Sequence, residues 1–226
     1  MKNAYAGIKR LYRAEILQLI ACVIIFGAIV LLKITGIDEN ISAEGKLGSD
    51  SMGYAAVGGG MLIGGMVLEI VAIAQAFLGT KKASADEPII KRAYYYLIVG
   101  LIAVVIEVLT SENTIVSSVA GFVGEVVTYL SIYYVLCGIV SISEKKSNSE
   151  ISARAKSSRK LLMFIMIFAA LLRIMGVLND VTLLEGIKAY ITMTIDIAAI
   201  LAAALEVIQF FIYLKILGKT KRMLEG

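Results

Sequence analysis

The chain has 226 residues, of which 59% are hydrophobic, with a mean hydropathy of +0.85 and a formal net charge of +4. No soluble domain of this length carries such a composition, and its single proline, Pro88, leaves long stretches free to run as unbroken helix. Histidine is absent, which excludes histidine-ligated haem or zinc, serine–histidine nucleophilic pairs and histidine proton relays.

About 20 apolar helical residues cross a bilayer core of roughly 30 Å. The first apolar run, Ile16–Ile34, follows a basic start. It exceeds a signal-peptide core in length and no A-x-A cleavage pattern follows it, so it reads as a retained helix. Tyr54–Leu78 is the most glycine-dense run, and its Gly60-x-x-x-Gly64 spacing, with Gly65 beside it, predicts close helix packing. Tyr94–Leu109 is short. Ile115–Ile142 offers Gly121 as a packing residue, Leu161–Leu178 is again short, and Tyr190–Leu217 offers Ala202. Together these runs predict an all-α integral membrane fold of six transmembrane helices, a single polytopic domain over 1–226. Thr35–Ser51, Gly79–Ala93 and Ser143–Lys160 read as its longer loops. The serine-rich Ser141–Ser158 reads as a flexible surface turn. Cys22 and Cys137 lie in apolar runs without metal or redox spacing and read as packing residues.

Basic residues fall on one side of this arrangement: Lys2, Lys9, Arg10 and Arg13; Lys81, Lys82, Lys91 and Arg92; Lys145 through Lys160; Lys215 through Arg222. The other side carries Asp38, Glu39, Glu44, Asp50, Glu112, Asp180 and Glu185 against Lys33, Lys46 and Lys188. The positive-inside rule then predicts cytoplasmic termini. The net positive charge is topology and not a nucleic-acid footprint. Compact loops and this charge bias fit a bacterial plasma membrane.

Taken in pairs, the runs form three helical hairpins with repeat boundaries at 1–80, 81–146 and 147–226. Each rises behind an arginine (Arg13, Arg92, Arg159) and returns through a helix bearing one glutamate, in GMVLEIV, GFVGEVV and AAALEVI. A small residue stands four positions before each of Glu69, Glu125 and Glu206, one turn away on the same face. Ionisable groups inside a membrane are costly, so these three carboxylates are the leading candidates for an ion pathway. Glu107 in the third run and Arg173 in the fifth are expected at similar heights. Arg173 is expected to pair with Glu107, Asp196 or a returning glutamate. Tyrosines near the basic edge, among them Tyr94, Tyr95, Tyr96, Tyr133 and Tyr134, read mainly as interfacial anchors.

Two readings of function remain open at this level. One is a transporter or channel for a cation, proton or protonated amine, using the intramembrane carboxylates. The other is a non-catalytic membrane subunit that binds a membrane-protein partner or a second copy of itself. An enzyme is not expected, since no GxGD motif surrounds Asp180 or Asp196 and no metal-ligand spacing occurs. No cofactor, metal or nucleic acid is implied, and the bilayer is the partner common to both readings.

Overall fold

A computed structural model describes residues 1–34, 49–181 and 185–225, with side chains for 1–34, 56–113, 116–175 and 191–225. Six helices and no strand occur among the described residues: α1 Lys2–Ile34, α2 Ser49–Ala83, α3 Ile90–Leu109, α4 Thr114–Lys145, α5 Ser149–Val181 and α6 Glu185–Glu225. All but α5 are long and apolar enough to cross a membrane. The run expected in α5, Leu161–Leu178, extends past Met175, where side chains lie outside the described residues. Most of the loop expected at Thr35–Ser51 also lies outside them, as do the side chains of Asp38, Glu39, Glu44, Asp50, Asp180 and Glu185.

The helices run longer than their apolar cores, for local reasons. Pro88 has no N–H to leave unpaired and fixes its own φ, so it suits the turn that opens α3. Its carbonyl accepts the Lys91 N–H at 3.0 Å. Asn113 caps α4 by accepting the Val116 N–H. The flexible turn expected over Ser141–Ser158 is instead helix interrupted only at Lys146–Asn148. Ser147 takes a left-handed φ of 54° that ends α4, and the Asn148 side chain accepts the Ile151 N–H at 3.0 Å to start α5. Ion pairs Glu144–Lys156 and Glu150–Arg154 hold the polar turns helical beyond the apolar run.

The chain divides into two compact units, Met1–Lys9 with Thr80–Gly226, and Arg10–Gly79. In the first, α3 packs on α4, α4 on α5 and α5 on α6. Its core lies toward the basic end, where Leu136, Ile139 and Ile142 of α4 are buried with Leu162 and Ile165 of α5 and Tyr213 and Leu217 of α6. Ala4 joins Ala83, Ile90 and Ile142 in one cluster. Asp86 explains the inclusion of the first residues. Its carboxylate accepts the Ala4 N–H at 2.9 Å and the Asn3 amide at 3.1 Å, capping α1 from the α2–α3 connection. Ile102, Val105, Ile167, Ile200 and Val207 are exposed, as lipid-facing positions require.

In the second unit α1 and α2 run antiparallel. A Cβ on Gly58 would lie 2.7 Å from Leu32, and one on Gly65 would lie 2.5 Å from Ile25 and 3.4 Å from the Ala21 carbonyl. Gly65 therefore packs as expected of a small residue. Gly60 and Gly64 do not: a Cβ on either meets nothing within 4 Å. Within this chain the close approach of α2 to α1 falls at Gly58 and Gly65 and not at the expected Gly60-x-x-x-Gly64. Residues seven apart share a face, whereas Gly60 lies roughly 200° around the helix from Gly58.

Candidate functional site

Glu125 and Glu206 line one cavity of 720 Å³ among α4, α5 and α6. Its walls are largely apolar, with Phe122 on α4, Leu172 on α5 and Ala199, Ala202 and Ala203 on α6. The alanines create the space, because α6 presents methyl groups where leucines would fill it. Ala202, expected as a packing residue, is buried in this wall.

Arg173 reaches in from α5. Its Nε donates to Glu125 Oε2 at 3.2 Å, and Nη2 lies 3.1 Å from the same oxygen in the ion pair. The pair is incompletely buried, with side-chain exposures of 51% for Arg173 and 28% for Glu125. One turn along α4, the Tyr129 hydroxyl donates to Glu206 Oε1 on α6. The cavity therefore carries two carboxylates, one tied to a guanidinium and one to a neutral phenol. Counting formal charge among the described residues, one negative charge is left uncompensated. Such a site attracts a single positive charge, and its apolar walls favour a cation with hydrocarbon attached over a fully hydrated metal ion.

The remaining candidates fall elsewhere. Glu107 does not pair with Arg173. Its carboxylate lies on α4 at Gly121, where a Cβ would stand 2.7 Å from Oε1, so Gly121 makes room for a charge instead of a bulky side chain. Asp196 is exposed and does not line the cavity. Glu69 is partly buried on α2 and belongs to the other compact unit. No group of three histidine, cysteine, aspartate or glutamate side chains suited to a metal ion occurs among the described residues.

Several polar contacts were not visible from spacing alone. Arg92 of α3 lies 5.4 Å from the Tyr134 ring centre, and Arg159 of α5 lies 5.5 Å from that of Tyr133. Adjacent tyrosines on α4 thus hold the basic-edge arginines of both flanking helices. Arg159 Nη1 also reaches Cys137 Sγ at 3.3 Å. Glu87, only 3% exposed, accepts from Ser141 Oγ at 2.9 Å and Lys145 Nζ at 2.6 Å. The residues Glu125, Tyr129, Tyr133, Cys137, Ser141 and Lys145 stand at successive four-residue steps of α4. Each step overshoots a full turn by roughly 40°. The polar row consequently winds from α5 and α6 to the α2–α3 connection, linking the cavity level to the basic edge. The four-residue repeat was the available signal, masked because Tyr133 and Cys137 count as ordinary membrane residues.

No protein-family model, curated protein or solved structure matches this chain. The apolar helical bundle, with five helices long and apolar enough to cross a membrane among the described residues, is compatible with a membrane protein.

Proposed function

We propose that this is a non-enzymatic, multi-pass transporter or channel of a bacterial plasma membrane, with six transmembrane helices and cytoplasmic termini, that takes a monovalent cation, a protonated amine in particular. The observation that carries the reading is the joint exposure of Glu125 and Glu206 to one cavity, with Arg173 the only cation lining it among the described residues. Charge inside a membrane span is retained where it serves a pathway, and the unbalanced carboxylate supplies the attraction. Glu107 and Asp196 take no part at this site, and any role of Glu69 belongs to the α1–α2 unit. In reconstituted vesicles the wild-type chain is expected to accumulate or release a lipophilic amine, Glu206→Gln to lose that flux while melting normally, and Glu125→Gln to lose it with a lowered melting point, since Arg173 is left without its carboxylate. Equal flux in all three removes the reading.

A second reading, a subunit that docks another chain or a second copy, is favoured by the open face at Gly60 and Gly64. Stoichiometric copurification with a membrane protein and no flux of its own would select it.

A further inference from the structure

A smaller cavity of 300 Å³ opens between the basic ends of α5 and α6 and shares no lining residue with the first. Arg154, Lys215 and Lys219 line it together with Ser158, and Leu161 and Ile212 form part of its apolar wall. Arg154 and Lys219 both reach Glu150 Oε1, at 3.1 and 2.6 Å. The hydrogen bond from Lys219 and its charge, helped by Arg154, hold the Glu150 carboxyl below the usual carboxylate range, so it counts as an anion. Three cations against one carboxylate leave two positive charges. Lys215 forms no ion pair among the described residues.

Ser158 is 2% exposed and accepts a hydrogen bond from the Gln209 amide at 2.9 Å, with Gln209 itself 4% exposed. The amide occupies an acceptor position of the hydroxyl and leaves its O–H to donate elsewhere. The apolar run of α5 begins at Leu161 and that of α6 ends at Leu217. The cations therefore stand where a membrane's phosphates lie, and Leu161 and Ile212 stand where its acyl chains begin.

We propose that this cavity binds the phosphate of an anionic phospholipid, with Arg154, Lys215 and Lys219 around the phosphate, Ser158 donating to it, and the glycerol and upper acyl chain against Leu161 and Ile212. Charge supplies the attraction, and the apolar wall separates a lipid from a free phosphate. The whole chain in phosphatidylcholine nanodiscs is titrated with phosphatidylglycerol, and bound lipid is counted by native mass spectrometry. One retained phosphatidylglycerol per chain is expected, unaffected by inorganic phosphate at millimolar concentration. Lys215→Gln should weaken retention about fivefold, as loss of one cation near a lipid phosphate does, with unchanged melting. Lys160→Gln removes the same charge from an exposed site outside the cavity and should change nothing. Equal retention by wild type and Lys215→Gln overturns the proposal, as does an equal loss in Lys160→Gln. Binding of inorganic phosphate that displaces the lipid would assign the cavity to a free anion and overturn it likewise.

Discussion

Arg173 directs two nitrogens, Nε and Nη2, at a single oxygen of Glu125, 3.2 and 3.1 Å away. Both side chains are partly uncovered by protein, so their alternative surroundings include hydrocarbon, where an unpaired charge costs about 2.5–3.5 kcal/mol. Glu125→Gln and Arg173→Gln are each expected to lower stability, and the double variant to recover part of the loss because no charge is left stranded. Thermal melts of the four proteins in one detergent give the cycle. Strict additivity would mean that the pair contributes nothing.

Adjacent glycines in α2 give a sharper contrast. Gly65→Ala drives a methyl to 2.5 Å from Ile25 Cγ1 and should cost roughly 1–3 kcal/mol. Gly64→Ala enters open space and should be neutral, or stabilising by up to ~1 kcal/mol as a helix loses glycine. Melting both variants decides it. A larger loss in Gly64→Ala would mean that another chain covers that face.

These glycines mark the limit of sequence reading. A Gly-x-x-x-Gly spacing states that a face is small, but not which neighbour uses it, and five glycines within the run Tyr54–Leu78 offer several such faces. The helical class was legible because long apolar runs with almost no proline leave the backbone few other ways to satisfy its hydrogen bonds in lipid. Glu125 and Glu206 were legible as charges in apolar surroundings. Their placement on one cavity was not, since it depends on the lateral order of α4, α5 and α6. Arg173 illustrates the same point, because spacing alone offered Glu107, Asp196 and the returning glutamates as partners without choosing among them. The helix at Ser149–Lys160 was hidden by serines, whose turn preference yields here to capping by Asn148 and to ion pairs along the surface.

Asp86 predicts a response to acid. The Ala4 N–H, then the Asn3 amide, hold its carboxyl below the ordinary value of 3.8, outweighing the opposing effect of burial. A depressed carboxyl stabilises the fold above its unfolded pKa, and that contribution disappears as pH falls through the lower, folded value. Docking of the first residues should therefore be constant from neutrality to about pH 5 and weaken below about pH 4. Asp86→Asn should remove this acid dependence. Asp86→Ala should cost about 1 kcal/mol, the usual scale for a lost cap. Hydrogen exchange at Ala4 and Tyr5 reads both, and unchanged protection in Asp86→Ala would show that the cap does not hold α1.

Orientation is tested by two connections. Glu112 lies in the exposed turn between α3 and α4, and Ser147 in that between α4 and α5. With cytoplasmic termini, an impermeant thiol reagent should label Glu112→Cys on intact cells and Ser147→Cys only after lysis. Cys22 and Cys137 are first replaced by alanine to clear the background. The opposite pattern would invert the protein in the membrane.

Charge counting at the cavity separates an electrostatic site from a merely apolar one. With Glu125, Glu206 and Arg173 the formal sum is −1, which suits a monocation. Glu206→Gln brings it to zero, and Arg173→Gln brings it to −2. At an effective dielectric constant near 20, a unit charge at 4–5 Å is worth roughly 3–4 kcal/mol, on the order of a hundredfold in affinity. A lipophilic monoamine should therefore lose about two orders of magnitude in Glu206→Gln. A diamine of similar size should gain relative to the monoamine in Arg173→Gln, because both charges then find carboxylates. Competition for a fluorescent amine in reconstituted vesicles measures both ratios. An unchanged diamine-to-monoamine ratio in Arg173→Gln would show that the guanidinium does not set the charge of this cavity, and with it the basis for expecting a monovalent substrate would fall.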